Sequence, residues 1–190
     1  MKIAETISDL YKVYRLCYET YFAEGYCVFD AGGILVHYPR LDALPETSII
    51  MIEDEMGNLI ASNTLTLDSP AGFHVDQDFP AEVEVIRKIC AKEDRKLAAS
   101  WRIITQKYIR NTREVVFELI RKTINLGITK GVDYCLFSFN PKHEAFYTRY
   151  LSLERIGDVK ICHAIKDAPA ILMLGKRDEI IKSKIMNLGS

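Results

Sequence analysis

The residues best suited to chemistry lie between Tyr134 and Gly157. An apolar run of strand length, Tyr134-Cys-Leu-Phe-Ser-Phe139, ends in Asn140-Pro141, and a short amphipathic stretch carrying Phe146, Tyr147 and Tyr150 follows. At a strand end, the Asn140 amide could hydrogen-bond the amides of an extended ligand; as Asn-Pro it could equally be turn chemistry. The Tyr147 phenol is a potential proton donor, and Phe146, Tyr147 and Tyr150 also suit the core face of a short helix. His143 falls in that helix's first turn and reads as exposed; His37, His74 and His163 lack partner spacing and read as structural. No Ser/His or Cys/His array stands out. The five cysteines (Cys17, Cys27, Cys90, Cys135, Cys162) are scattered, without metal-ligand spacing. They read as free thiols in a reducing cytoplasm.

These residues need elements to position them. Residues 7–24 read as a helix, with Leu10, Val13, Tyr14, Cys17, Tyr18, Tyr21 and Phe22 recurring at steps of three and four and Gly25 as its stop. Residues 26–46 lack a period and read as a functional loop. Ser48–Glu53 and Leu59–Leu67 read as a hairpin. Glu82–Cys90 alternates as a strand would, while residues 91–110, including Trp101, are open between strand, helix and lid. Asn111–Gly131 reads as the clearest helix, with Asn111 and Glu114 as its cap. Val132–Phe139 reads as a strand, Pro141–Leu151 as a helix, Glu154–His163 and Ala170–Leu174 as strands, and Lys176–Leu188 as a terminal helix. This order predicts one α/β (α+β) domain over residues 1–190, a mixed sheet flanked by helices.

Composition narrows the function. The chain has 190 residues, 48% of them hydrophobic, enough for one sizeable core. Its net charge of −1 gives nucleic acid binding no electrostatic support. No apolar run approaches the roughly 18 residues of a membrane span. The first residues lack the pattern of a signal peptide, which points to a cytoplasmic protein.

Three segments resemble the Gcn5-related N-acetyltransferase (GNAT) fold, with its mostly antiparallel sheet. More narrowly, they resemble the long-chain N-acyl amino acid synthases and the related acyl-homoserine-lactone synthases. The segments are Tyr14–Tyr26, with its tyrosine–glutamate pair and glycine–aromatic end; Glu84-Val-Ile-Arg87, similar to the Glu-x-x-Arg of the family's central strand; and Asn140–Tyr147 through Ile156-Gly157. The resemblance implies an N-acyltransferase moving a fatty acyl group to the amine of an amino acid or similar small molecule. It also implies roles. Glu84 would be the base or amine-binding carboxylate, and Arg87 would bind a substrate carboxylate. Residues 84 and 87 of a regular strand face opposite ways, so their cooperation requires a bulge. Tyr147 would protonate the leaving thiolate. Asn140, Phe146 and Trp101 would hold the pantetheine or acyl chain, with Leu97, Ile103 and Ile104 beside Trp101. Arg15, Tyr18 and Tyr26 would stand on the acceptor side.

The departures concentrate on the acceptor side. Cys17 stands where the family has arginine, Pro45 and Ile50 replace an acid and a histidine after Asp42, and Thr64 replaces an arginine. The loop Thr105–Arg113 lacks the glycines that let an acetyl-CoA enzyme approach a pyrophosphate closely. That favours acyl-phosphopantetheine on an acyl carrier protein over acyl-CoA, with Lys107, Arg110 and Arg113 able to meet an acidic carrier. The chemistry needs no protein nucleophile, resident cofactor or metal: an amine attacks a thioester carbonyl directly. An acyl-homoserine-lactone synthase, an acyl-CoA-dependent transferase and a non-catalytic acyl- or carrier-binding module remain alternatives.

Overall fold

The computed structural model describes residues 2–107 and 109–188, with only the backbone of His163. Seven strands form one sheet in the order β1-β2-β3-β4-β5-β8-β6, and β7 pairs with the first residues of β8, Ala168–Ala170. They are β1 (Lys2–Ile3), β2 (Thr47–Glu53), β3 (Leu59–Leu67), β4 (Leu97–Thr105), β5 (Tyr134–Phe139), β6 (Glu154–Arg155), β7 (Lys160–Cys162) and β8 (Ala168–Lys176). Every pairing is antiparallel except β4 with β5.

The helices are α1 (Ile7–Ala23), α2 (Pro39–Asp42), α3 (Pro80–Glu93), α4 (Thr112–Thr129), α5 (Glu144–Leu151), α6 (Arg177–Ile181) and α7 (Lys184–Asn187). A capping box starts α1: Asp9 N donates to Thr6 Oγ1 at 3.1 Å and Thr6 N donates to Asp9 Oδ2 at 3.2 Å. The helix stops before Gly25, whose φ of 76° a side chain would resist. The alternation of β2 sorts the two faces of the sheet. Ile49 and Met51 pack with Val13, Leu16 and Cys17 of α1, whereas Ile50 and Ile52 pack with Leu119 of α4. The same alternation puts α3 on the face of α1 and α5 on the face of α4.

Glu82–Cys90 belongs to a helix rather than a strand. Pro80 sits in the first turn of α3, where its missing N–H costs nothing, and Val83, Ile86 and Cys90 are buried at helical spacing. Val85 and Ile89, which complete the apparent alternation, are exposed. The central strand is β4, from the stretch the sequence left open. Its residues are buried on both faces, so it shows no alternation. Asn111 precedes α4 in the left-handed region (φ 61°) without a side-chain capping bond, so the expected cap does not form. The expected Glu154–His163 strand is divided into β6 and β7, and the terminal helix is broken into α6 and α7.

Candidate active site

The parallel pair β4–β5 holds the site because it comes apart. Its register runs from Leu97↔Tyr134 to Ser100↔Phe137, and then the strands part. Beyond Ser100, the β4 edge facing β5 no longer has a strand partner. On its other edge β4 carries a bulge: Thr64 pairs with Trp101 and Ser62 with Ile104, so Arg102 and Ile103 stand opposite Asn63 alone. Arg102 takes a φ of 55° there. The central strand therefore has a bulge, around Arg102 rather than between Glu84 and Arg87.

A cavity of about 500 Å³ occupies this opening and continues between the sheet and α4. Glu24, Tyr26, Asn140, Lys142 and His143 line it at the ends of α1 and β5, where Glu24 and Lys142 are exposed and paired at 3.0 Å. Its inner wall is mostly apolar, with Val116, Ile120, Ile124, Val132, Cys135 and Phe137 among the lining residues. The other end reaches Asp133, Arg177 and Ile181. Asn63, Ser100 and Thr123 also line it, as a closed network. Asn63 Nδ2 donates to Ser100 Oγ (2.9 Å) and Thr123 Oγ1 (3.0 Å), and Thr123 Oγ1 donates to the Leu119 carbonyl at 2.9 Å. Those polar atoms are already satisfied, which suits an apolar occupant.

Tyr147, Phe146, Asn140, Tyr26 and Trp101 all line the cavity, so the structure brings these sequence candidates together. Tyr147 is held by stacking on Phe139, with centroids 3.8 Å apart and planes at 5°. Burial raises its phenol pKa and keeps it protonated. Asn140 does turn work as well: its Oδ1 accepts from Lys142 N at 3.1 Å, and its Nδ2 donates to Tyr26 Oη at 3.1 Å. Trp101 donates from Nε1 to Thr66 Oγ1 at 3.0 Å, which fixes the ring. Of its expected neighbours, Ile103 also lines the cavity, Leu97 joins the α3 core and Ile104 the α1 core.

Four candidates stand elsewhere. Glu84 lies on the exposed face of α3 and pairs with Lys88 at 3.5 Å, one turn on. Arg87 staples a loop, with Asp68 at 2.9 Å and Asp76 at 2.6 Å. Arg15 is 68% exposed and pairs with Glu19. Tyr18 stacks on Phe22 and accepts from Asp30 N at 3.1 Å. None of the four lines the cavity.

Sequence reasoning missed Arg102. Its side chain is 1% exposed and grips Asp42 of α2 with two hydrogen bonds, at 2.9 and 2.7 Å. It also donates to Thr64 Oγ1 at 2.9 Å, so the site marked by Thr64 does receive a guanidinium, from the neighbouring strand. The guanidinium lies over Trp101, 4.5 Å from the centroid, and its Nε is buried without a partner. Tyr14 donates to Asp42 at 2.9 Å; burial and then Asp42's charge push its phenol up to about 12. Asp42, quoted in the resemblance, was the available signal: a buried carboxylate needs a buried cation.

A second groove opens beside the cavity, lined by Arg113, Arg149, Tyr150, Lys182, Lys184, Asn187 and Leu188. Arg113 donates to Tyr150 Oη at 3.2 Å, and Tyr150 packs on Phe146 of the cavity wall, with centroids 5.0 Å apart. No carboxylate lines this groove among the described residues. Of the basic loop expected to meet a carrier, Arg113 reaches the groove; Tyr108 of that loop lies outside the described residues.

A mixed sheet parted at a parallel pair, with a bulge in the central strand and an apolar cavity in the opening, defines an acyltransferase of the GNAT fold. The family model of the N-acyl amino acid synthase FeeM matches residues 12–176, and the chain belongs to that family. The structure of FeeM itself, an N-acyl amino acid synthase from uncultured soil microbes, superposes with a TM-score of 0.79 at 21% identity, covering 96% of this chain and 97% of that one. The acyl-homoserine-lactone synthase LasI gives 0.69 at 12% identity (96% and 94% covered). An acyl-CoA N-acyltransferase from Pseudomonas aeruginosa gives 0.62 at 18% identity (90% and 92% covered). No curated protein sequence matches significantly.

Proposed function

We propose that the protein transfers a fatty acyl group from a phosphopantetheine thioester on an acyl carrier protein to the amine of an amino acid. The observation that carries this reading is the apolar cavity opening where β4 and β5 part, with Tyr147 and Asn140 in its wall. The pantetheine lies along the free β4 edge, its amides pairing with the backbone as an added strand would. The acyl chain runs inward beside α4. Backbone N–H groups of β4 beyond Ser100, on the edge without a strand partner, serve the oxyanion.

The acceptor nitrogen attacks the thioester carbonyl, the C–N bond forms and the C–S bond breaks. Tyr147 protonates the departing thiolate, and the amine proton leaves through water at the rim. Glu24, which Lys142 holds below the usual carboxylate range, is the rim carboxylate available to receive it and takes the place first given to Glu84.

A carrier protein is favoured over CoA by the glycine-free loop before α4 and by Arg113, Arg149, Lys182 and Lys184 in the groove next to the cavity, which no carboxylate lines among the described residues. The five cysteines are free, and four of them are buried, which suits a cytoplasmic protein. Mass spectrometry of lipids from cells expressing the chain tests the reading. An accumulated N-acyl amino acid is expected, and its mass gives acceptor and chain length together. Folded protein without any new acylated amine would refute it.

A further inference from the structure

Gly127 sits inside α4, where glycine is destabilising relative to alanine. Elsewhere in the core the reason for a glycine is visible. A Cβ at Gly175 would meet Ile180 Cδ1 at 2.5 Å and Leu153 Cδ2 at 2.8 Å, and one at Gly157 would meet Leu172 and Phe79 at 3.0 Å. Gly127 has no such reason. A Cβ there would meet only Val132 Cβ at 3.8 Å and Leu65 Cδ2 at 3.9 Å, both ordinary contacts, and its backbone is helical. What lies next to it is the cavity, which Gly127 lines together with Leu65 and Val132. The helix leaves bare backbone where a side chain would project into the passage.

We propose that Gly127 is the depth determinant of the acyl cavity, admitting chains of more than about a dozen carbons past the level of Leu65 and Val132. This rests on the acyl-transfer reading for the identity of the ligand. The lining runs along α4 from Val116, near the parted strands, to Gly127 and Ile128. From Val116 to Gly127 the helix axis covers about 16 Å at 1.5 Å per residue, the extended length of roughly a dozen methylenes. Shorter chains end before Gly127. Longer ones slide past it towards Ile181, which is 42% exposed at the far end. A closed cavity would stop at this point; the absent side chain keeps it open.

The chain's only tryptophan, Trp101, lines the same cavity and reports occupancy by its fluorescence. Free fatty acids of eight to eighteen carbons are titrated against the wild type, Gly127→Ala and Gly127→Leu. For the wild type, affinity should climb by about fourfold per added methylene and keep climbing beyond twelve carbons. Gly127→Leu should bind the eight- and ten-carbon acids as the wild type does and the sixteen-carbon acid at least about tenfold more weakly. Gly127→Ala secures the test against misfolding, since its methyl meets only ordinary contacts: it should melt above the wild type and shift the preference in the same direction by less. Equal affinity of all forms for the sixteen-carbon acid, or equal weakening at every length, would overturn the role of Gly127. A wild type that binds no alkyl chain would instead overturn the acyl reading of the cavity.

Discussion

At the scale of single residues, the proposed chemistry rests on groups whose surroundings fix their state. Tyr147 stays protonated because it is buried against Phe139. Tyr147→Phe keeps the stacking and removes the proton, so turnover should fall about 100-fold or more with unfolding unchanged, as steady-state rates and urea melts will show. Glu84 makes the opposite forecast. On the solvent face of α3 it pairs with Lys88, so Glu84→Gln should leave turnover within about twofold. Arg102 and Asp42 are 1% and 2% exposed. Removing one member of such a pair strands the other, and Asp42→Ala should cost about 3–5 kcal/mol in chemical denaturation. The residues legible in sequence were those tied to a recognisable neighbour: Asn140 before proline, Tyr147 among aromatics. Arg102 had no marker beside it in sequence; its one signal, the need of Asp42 for a buried cation, lies 60 positions away.

At the scale of elements, the sequence revealed those with a clear period or a clear turn. The amphipathic periods of α1 and α5 were legible, and β2 and β3, although buried on both faces, were marked as a hairpin by the Asp54–Asn58 turn between them. Two elements carried no such mark, and both bear on the site. In α3 the exposed Val85 and Ile89 imitate a strand, and β4, buried on both faces, imitates nothing in particular. Exchanging them moved the supposed central strand from Leu97–Thr105 to residues 82–90 and placed the bulge on the wrong residues. The elements also carry the partner forecast. Arg149 of α5 and Lys184 of α7 share the groove beside the cavity. Arg149→Glu with Lys184→Glu should raise KM for an acyl carrier protein about tenfold or more and leave KM for a free acyl-pantetheine unchanged. Equal effects on both donors would remove the groove from donor docking.

For the whole molecule, the α1 face is bound to pH through two histidines. Burial, then the charge of Arg102, lowers His37 to about 4; burial lowers His74 to about 3. In the unfolded chain both titrate near 6.5. Between these values the unfolded chain binds more protons, so stability must fall as pH drops below about 6.5, and it stops falling on this account near pH 3. By pH 3 the loss is on the order of 8 kcal/mol for the two together. Urea midpoints between pH 7 and 4.5 should show it, and His37→Gln with His74→Gln should flatten the profile.

The claim joining these scales is that an acyl chain enters where β4 and β5 part and leaves joined to an amine. Purified protein supplied with a long-chain acyl carrier protein and a mixture of amino acids tests this most directly, with the amide product followed by mass spectrometry. The proposed function predicts an N-acyl amino acid formed faster from the carrier-protein thioester than from the matching acyl-CoA, and lost with Tyr147→Phe. Thioester consumption without amide, or amide formation that Tyr147→Phe does not slow, would contradict it.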